Sequence, residues 1–126
     1  MIRIDWQSGI PAYDQIVNGI IKLKAVGGLA VNEQLPSVRQ MAIKLGVNPN
    51  TVQKAYLILE QKGIIYSVSG KGSFISDNIE ADKSVEKEFL EKVEKAVSEA
   101  MKMGVDKQYI LNTVHNLLEK GGNEDD

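Results

Sequence analysis

Cysteine is absent from this 126-residue chain. That removes disulfides and thiolate-bound zinc or iron–sulfur centres, and it suits a reducing cytoplasm. Long apolar runs are absent too: nothing approaches the ~18 consecutive apolar residues of a membrane span. The first residues, MIRIDWQSG, carry an aspartate and no apolar stretch, so no signal peptide is expected. Histidine is reduced to one residue, His115, which standing alone reads as a surface or interface side chain. No nucleophile stands near a plausible base, and Glu86, Glu88, Glu91 and Glu94 alternate with lysines as a solvated face. These gaps argue against an enzyme, and no cofactor or metal site is expected. Proline occurs three times, at Pro11, Pro36 and Pro49, each at or just before the start of a helical pattern.

What remains is an ordinary folding composition, 43% apolar and 25% charged, enough for one compact domain with an appendage. Its charge is unevenly placed. Residues 1–78 hold eight Lys and Arg against five Asp and Glu, while residues 79–126 hold seven Lys against twelve acids. The first part is therefore mildly basic, which permits a polyanionic partner, and the second is acidic.

Helical spacing is clear in PAYDQIVNGIIKLKAVGG, where Tyr13, Ile16, Val17, Ile20 and Ile21 share a face and Gly27-Gly28 stop it. Ahead of it, Ile2, Ile4 and Trp6 alternate as a short strand would. In LPSVRQMAIKLG, Ser37 and Gln40 have the spacing of a capping box. Val38, Met41, Ala42 and Leu45 then form an apolar stripe along about ten residues of helix, and Gly46 ends it. Asn48 reads as the next N-cap, with Pro49 in the first turn and Val52, Ala55, Tyr56 and Leu59 facing inward. Gly63 closes that helix. Two short helices across a glycine turn, followed by the β-rich runs IIYSV and SFIS around SGKG, make a helix-turn-helix with a hairpin wing. Residues 77–84 are polar and read as a linker. Val85 to Met101 and Ile110 to Leu118 form two amphipathic helices, parted at Gly104 and Asp106, and residues from about 121 read as a disordered acidic tail. Two helices cannot enclose their own apolar stripes, so a second copy of the chain is the expected cover.

The polar face of the second short helix carries Asn50, Thr51, Gln53 and Lys54. Asn and Gln match the adenine edge in a major groove, and Thr and Lys can reach phosphates or bases. On an isolated helix this would be a solvated surface; the capped helix-turn-helix and wing favour DNA contact instead. Ser37 and Arg39 stand at a helix N-terminus suited to phosphate, and Lys71, between Gly70 and Gly72, suits a wing tip approaching DNA. That GKG is not a P-loop, because Ile65 and Gly72 occupy the positions that would need Gly and Ser or Thr. Leu57 and Ile58 are apolar where this helix would usually be polar.

With LPSVR, LGVNPNTV, KAY and GKGSF in this order, residues 10–76 closely resemble the winged-helix domain of GntR-family bacterial transcription regulators. VNPNTVQKAY, together with a short two-helix extension, is similar to the YtrA subfamily. The resemblance implies a dimeric repressor on a roughly palindromic DNA operator, often upstream of transporter genes; a cytoplasmic location is expected from the absence of cysteine. It implies DNA contacts from Ser37 and Arg39, from Asn48, Asn50, Thr51 and Gln53, and from Gly70 and Lys71. Gln53 stands where many members carry arginine, and Val31-Asn32 replaces a frequent Pro-Gly.

The expected architecture is therefore mainly α, of the α+β kind. It comprises a winged helix-turn-helix over 1–78 and a two-helix dimerisation region over 79–126. Partners would be double-stranded DNA, a second copy, and a small-molecule effector if one exists, which would have to sit at an interface; no membrane is involved. The rival is a winged helix used as a protein-interaction module, with Leu57 and Ile58 in the contact.

Overall fold

The computed structural model describes residues 2–124. Among them are five helices and one hairpin: α1 (Ala12–Ala25), α2 (Val38–Leu45), α3 (Pro49–Gln61), β1 (Ile65–Val68), β2 (Gly72–Ile75), α4 (Ile79–Lys102) and α5 (Lys107–Glu124). The chain divides into two compact units, the first ending at Val85 and the second beginning at Glu86.

In the first unit α3 packs against both α1 and α2. Ile16 and Ile20 of α1, Val52 and Leu59 of α3, and Ile64 and Ile75 around the hairpin are almost wholly excluded from solvent. Fully burying each such side chain contributes about 1.5–3 kcal/mol, so this shared cluster is what holds the short helices together. α2 alone has eight residues, two fewer than the sequence suggested, and a helix that short is marginal without tertiary packing. Met41 and Ala42 supply that packing, with Val38 and Leu45 half-covered beside them. Gly46 ends α2 at φ +68°, and Val47 then turns back onto the core.

β1 and β2 pair antiparallel, with Ile65 opposite Ile75 and Val68 opposite Gly72. Tyr66 and Phe74 stack across the strands with ring centroids 5.5 Å apart. Residues 32–35 run along the free edge of β2: Leu35 N–H donates to the Ser73 carbonyl at 2.9 Å, Ile75 N–H to Glu33 at 2.9 Å, and Asn32 N–H to Ile75 at 2.8 Å. Asn32 adopts φ +67°, a left-handed conformation that asparagine tolerates better than most residues. Its side-chain oxygen also accepts from the Tyr66 hydroxyl at 2.8 Å.

Three expectations are corrected. Residues 2–6 form no strand. Ile2 and Ile4 do pack on the core, while Trp6 is exposed. The backbone of Asp5 pairs instead with the Gln15 amide, donating to Oε1 at 2.8 Å and accepting from Nε2 at 3.0 Å, so a side chain replaces the missing strand partner. Residues 77–84 are not a linker. Asn78 caps α4, its Oδ1 accepting from Ala81 N–H at 3.0 Å, and Ala81 and Val85 are buried in the first unit. Lys24 reaches Asp82 at 2.6 Å to hold this turn. The disordered tail expected from about 121 is helix as far as Glu124; Asp125 and Asp126 lie outside the described residues.

In the second unit, α4 ends at Lys102, the chain turns through Gly104 (φ +84°), and Asp106 Oδ1 accepts from Gln108 N–H at 3.3 Å to start α5. Val97, Ala100, Ile110 and Val114 are half-covered. Leu90, Val93, Leu111, Leu117 and Leu118 are each more than half exposed.

Candidate nucleic-acid interface

All nine residues singled out from the sequence fall in the first unit, on three segments: the start of α2, the start of α3 and the tip of the wing. Ser37 caps α2. Its Oγ accepts from Gln40 N–H at 3.1 Å while Gln40 Oε1 accepts from Ser37 N–H at 2.9 Å, completing the capping box. The serine O–H stays available as a donor to an outside acceptor. Arg39 lies in the first turn and is exposed, with no ion-pair partner among the described residues.

Asn48 caps α3 through a 2.8 Å bond from Asn50 N–H to its Oδ1, which leaves its NH₂ for another acceptor. Pro49 occupies the first turn. Val52, Ala55, Tyr56 and Leu59 are buried, so Asn50 and Gln53 point outward and Thr51 is half-covered. Lys54 is also exposed, but its ammonium sits 3.8 Å from the centroid of the Tyr13 ring. That cation–π contact draws it toward α1. Of the two apolar residues on this helix, Ile58 packs on the core and Leu57 is 51% exposed.

At the wing, Lys71 N–H bonds the Val68 carbonyl at 2.9 Å and closes a turn with Gly70 at φ +76°. A type II turn calls for positive φ at this position, which is why glycine stands there. Lys71 is exposed and, like Arg39, has no ion-pair partner among the described residues.

Two hydrogen bonds tie these segments together, and neither is visible in local sequence. The Tyr56 hydroxyl donates to the Pro36 carbonyl at 2.7 Å, linking α3 to the residue before Ser37. Burial pushes that hydroxyl well above its usual pKa. The Gln34 amide donates to the Lys71 carbonyl at 2.7 Å, linking the wing tip to the segment that leads into α2.

Among the described residues, no group of three or more His, Asp or Glu could hold a metal ion. His115 lies 3.9 Å from Glu119 on the exposed side of α5. Among the described residues, no helix is long and apolar enough to cross a membrane. The three segments thus present mainly polar side chains to solvent.

The model for bacterial regulatory proteins of the gntR family matches residues 12–75. The HTH-type transcriptional repressor YtrA of Bacillus subtilis is 45% identical over 78 residues, covering 62% of this chain and 60% of that protein. That match therefore spans less than two thirds of its relative. The HTH-type transcriptional regulator YhcF of the same organism is 35% identical over 117 residues, covering 92% of this chain and 97% of its own. Among solved structures, a GntR family transcriptional regulator from Listeria monocytogenes superposes with a TM-score of 0.74 at 34% identity, covering 88% of this chain and 98% of that one. The DNA-binding domain of AraR, solved in complex with operator ORE1, gives a TM-score of 0.52 at 26% identity over 58% of this chain and 89% of that one. With the winged helix, its matched motifs and these relatives in agreement, the chain belongs to the GntR family of bacterial regulatory proteins and is of the YtrA-like type.

Proposed function

We propose that this protein is a cytoplasmic homodimeric repressor that binds a palindromic DNA operator through two winged helices, with transporter genes among its targets. The observation that carries the reading is the construction of α3. It is capped at Asn48, buries one side, and keeps Asn50 and Gln53 outward, while hydrogen bonds tie it indirectly to Ser37, Arg39 and the Lys71 tip. The exposed apolar side chains of the second unit favour a second copy as their cover. Two α3 helices entering the major groove on one side of DNA require half-sites about 10 bp apart, or a multiple of that. A small-molecule effector would bind at the interface between copies.

The test is selection of duplexes from a randomised library by the wild-type protein, followed by titration of the enriched duplex and a scrambled control. Enrichment of an inverted repeat, bound by two protomers, is the expected result. Binding indifferent to sequence would refute the reading. It would favour the rival, a winged helix that docks protein through exposed Leu57; loss of such a partner in Leu57→Asp would then identify the contact.

A further inference from the structure

The wing tip has little to hold it in place. Ser69, Gly70 and Lys71 form the loop between β1 and β2, with Gly70 at φ +76° and Gly72 at φ +118°. Glycine loses more backbone freedom on ordering than any other residue, so a lysine set between two glycines is costly to aim. One side chain from elsewhere in the chain reaches the tip. Gln34 bridges Phe74 through its backbone, and its Nε2 donates to the Lys71 carbonyl at 2.7 Å. The fit is close: a Cβ added to Gly72 would stand 2.9 Å from the same Nε2. Gly72 is thus glycine both for its φ and to admit the Gln34 amide. Flanking backbone bonds from Leu35 to Ser73 and from Ile75 to Glu33 fix Gln34 alongside β2.

Resting on the reading of Lys71 as a phosphate contact, we infer that Gln34 is a positioning residue for DNA binding. Its amide latches the wing tip to the segment leading into α2, so that Lys71 and the Ser37–Arg39 turn meet DNA as one rigid unit. Gln34 acts through the Lys71 backbone and touches no nucleic acid itself.

The test is a double-mutant cycle with the full chain and the duplex enriched by wild-type protein. Gln34→Met keeps the length and removes the donor; Lys71→Ala removes the ammonium and keeps the carbonyl. Loss of one net hydrogen bond predicts that Gln34→Met weakens binding by about three- to tenfold. It also predicts a salt dependence shallower by up to about one unit of slope, because Lys71 no longer neutralises its phosphate. On the Lys71→Ala background the same change should have almost no effect on affinity or slope. A loss that persists in full on that background overturns the inference, since Gln34 would then act by another route. Weakening by Lys71→Ala with none by Gln34→Met also overturns it and leaves the wing reading intact. If neither change matters while Arg39→Ala weakens binding, the wing's part in the interface falls, and the latch with it.

Discussion

Tyr56→Phe is the change whose consequences the structure specifies most fully. The hydroxyl is the only group removed; the ring remains buried in the core, so no large cavity opens. What is lost is the 2.7 Å bond to the Pro36 carbonyl. Pro36 is half-exposed, so water can take the vacated place. The penalty should then lie near the net value of one hydrogen bond, about 1 kcal/mol, and not reach that of an orphaned buried acceptor. For a unit of this size that lowers the unfolding midpoint by roughly 4–8 °C.

The pH dependence makes the prediction sharper. Burial raises the folded-state pKa of Tyr56 above the ordinary value of 10.0. The contribution to stability is therefore complete below pH 10 and is lost as pH rises from there toward the folded pKa, because the unfolded chain ionises first. At pH 11 the loss is about 1.4 kcal/mol, one tenfold step in protonation. Wild type should be more stable than Tyr56→Phe at pH 8 by about 1 kcal/mol, and the order should be level or reversed at pH 11. Denaturant unfolding of both proteins at matched concentration measures this difference, in which every other titrating group cancels. A stability gap that stays constant from pH 8 to 11 would refute the account of Tyr56 as a buried, neutral donor.

Further outcomes are expected at other sites. Gly46→Ala introduces no clash, since nothing lies within 4 Å of the added Cβ; its effect is only left-handed strain, about 1–2 kcal/mol of stability, readable by thermal unfolding. Arg39→Ala should weaken binding of the enriched duplex by about 1–3 kcal/mol with an unchanged unfolding midpoint, and unchanged affinity would remove Arg39 from the interface. Gln53→Ala should relax preference at a single base pair, by about 1–3 kcal/mol of discrimination, as seen in a panel of single-base variants. Leu111→Asp, on an exposed side of α5, should convert a dimer to monomer in sedimentation experiments and reduce operator affinity through loss of bivalency.

Whether an element could be read from the sequence depended on whether its signal was local. The capping box at Ser37 and Gln40, the Asn48-Pro49 start and the Gly46 stop are each complete within four residues, and all three stand in the structure as expected. The inward stripe of α3 was legible for the same reason. The start of α4 was not, because DNIEADKS is polar almost throughout and only Ala81, four residues before Val85, hints at a buried face. Its stability comes from Asn78 as cap and from Lys24, 58 positions away. Ile2 and Ile4 misled in the opposite way: their alternation is real, but a strand also needs a partner, and the Gln15 amide took that role.

The same division runs through the candidate interface. The candidate side chains stand at helix starts and a glycine turn, positions that short-range rules place. What orders those positions relative to one another is long-range: Tyr56 to Pro36 across 20 positions and Gln34 to Lys71 across 37. Nothing around Gln34 marks it as different from any surface glutamine until the strand pairing brings it to the wing. A helix-turn-helix motif can therefore be recognised from its contacts alone, yet how tightly those contacts are aimed depends on residues that carry no motif. Variation at Gln34 or Tyr56 should consequently change affinity or stability while leaving base preference as it is, whereas variation at Asn50 or Gln53 should change base preference while leaving the fold as it is.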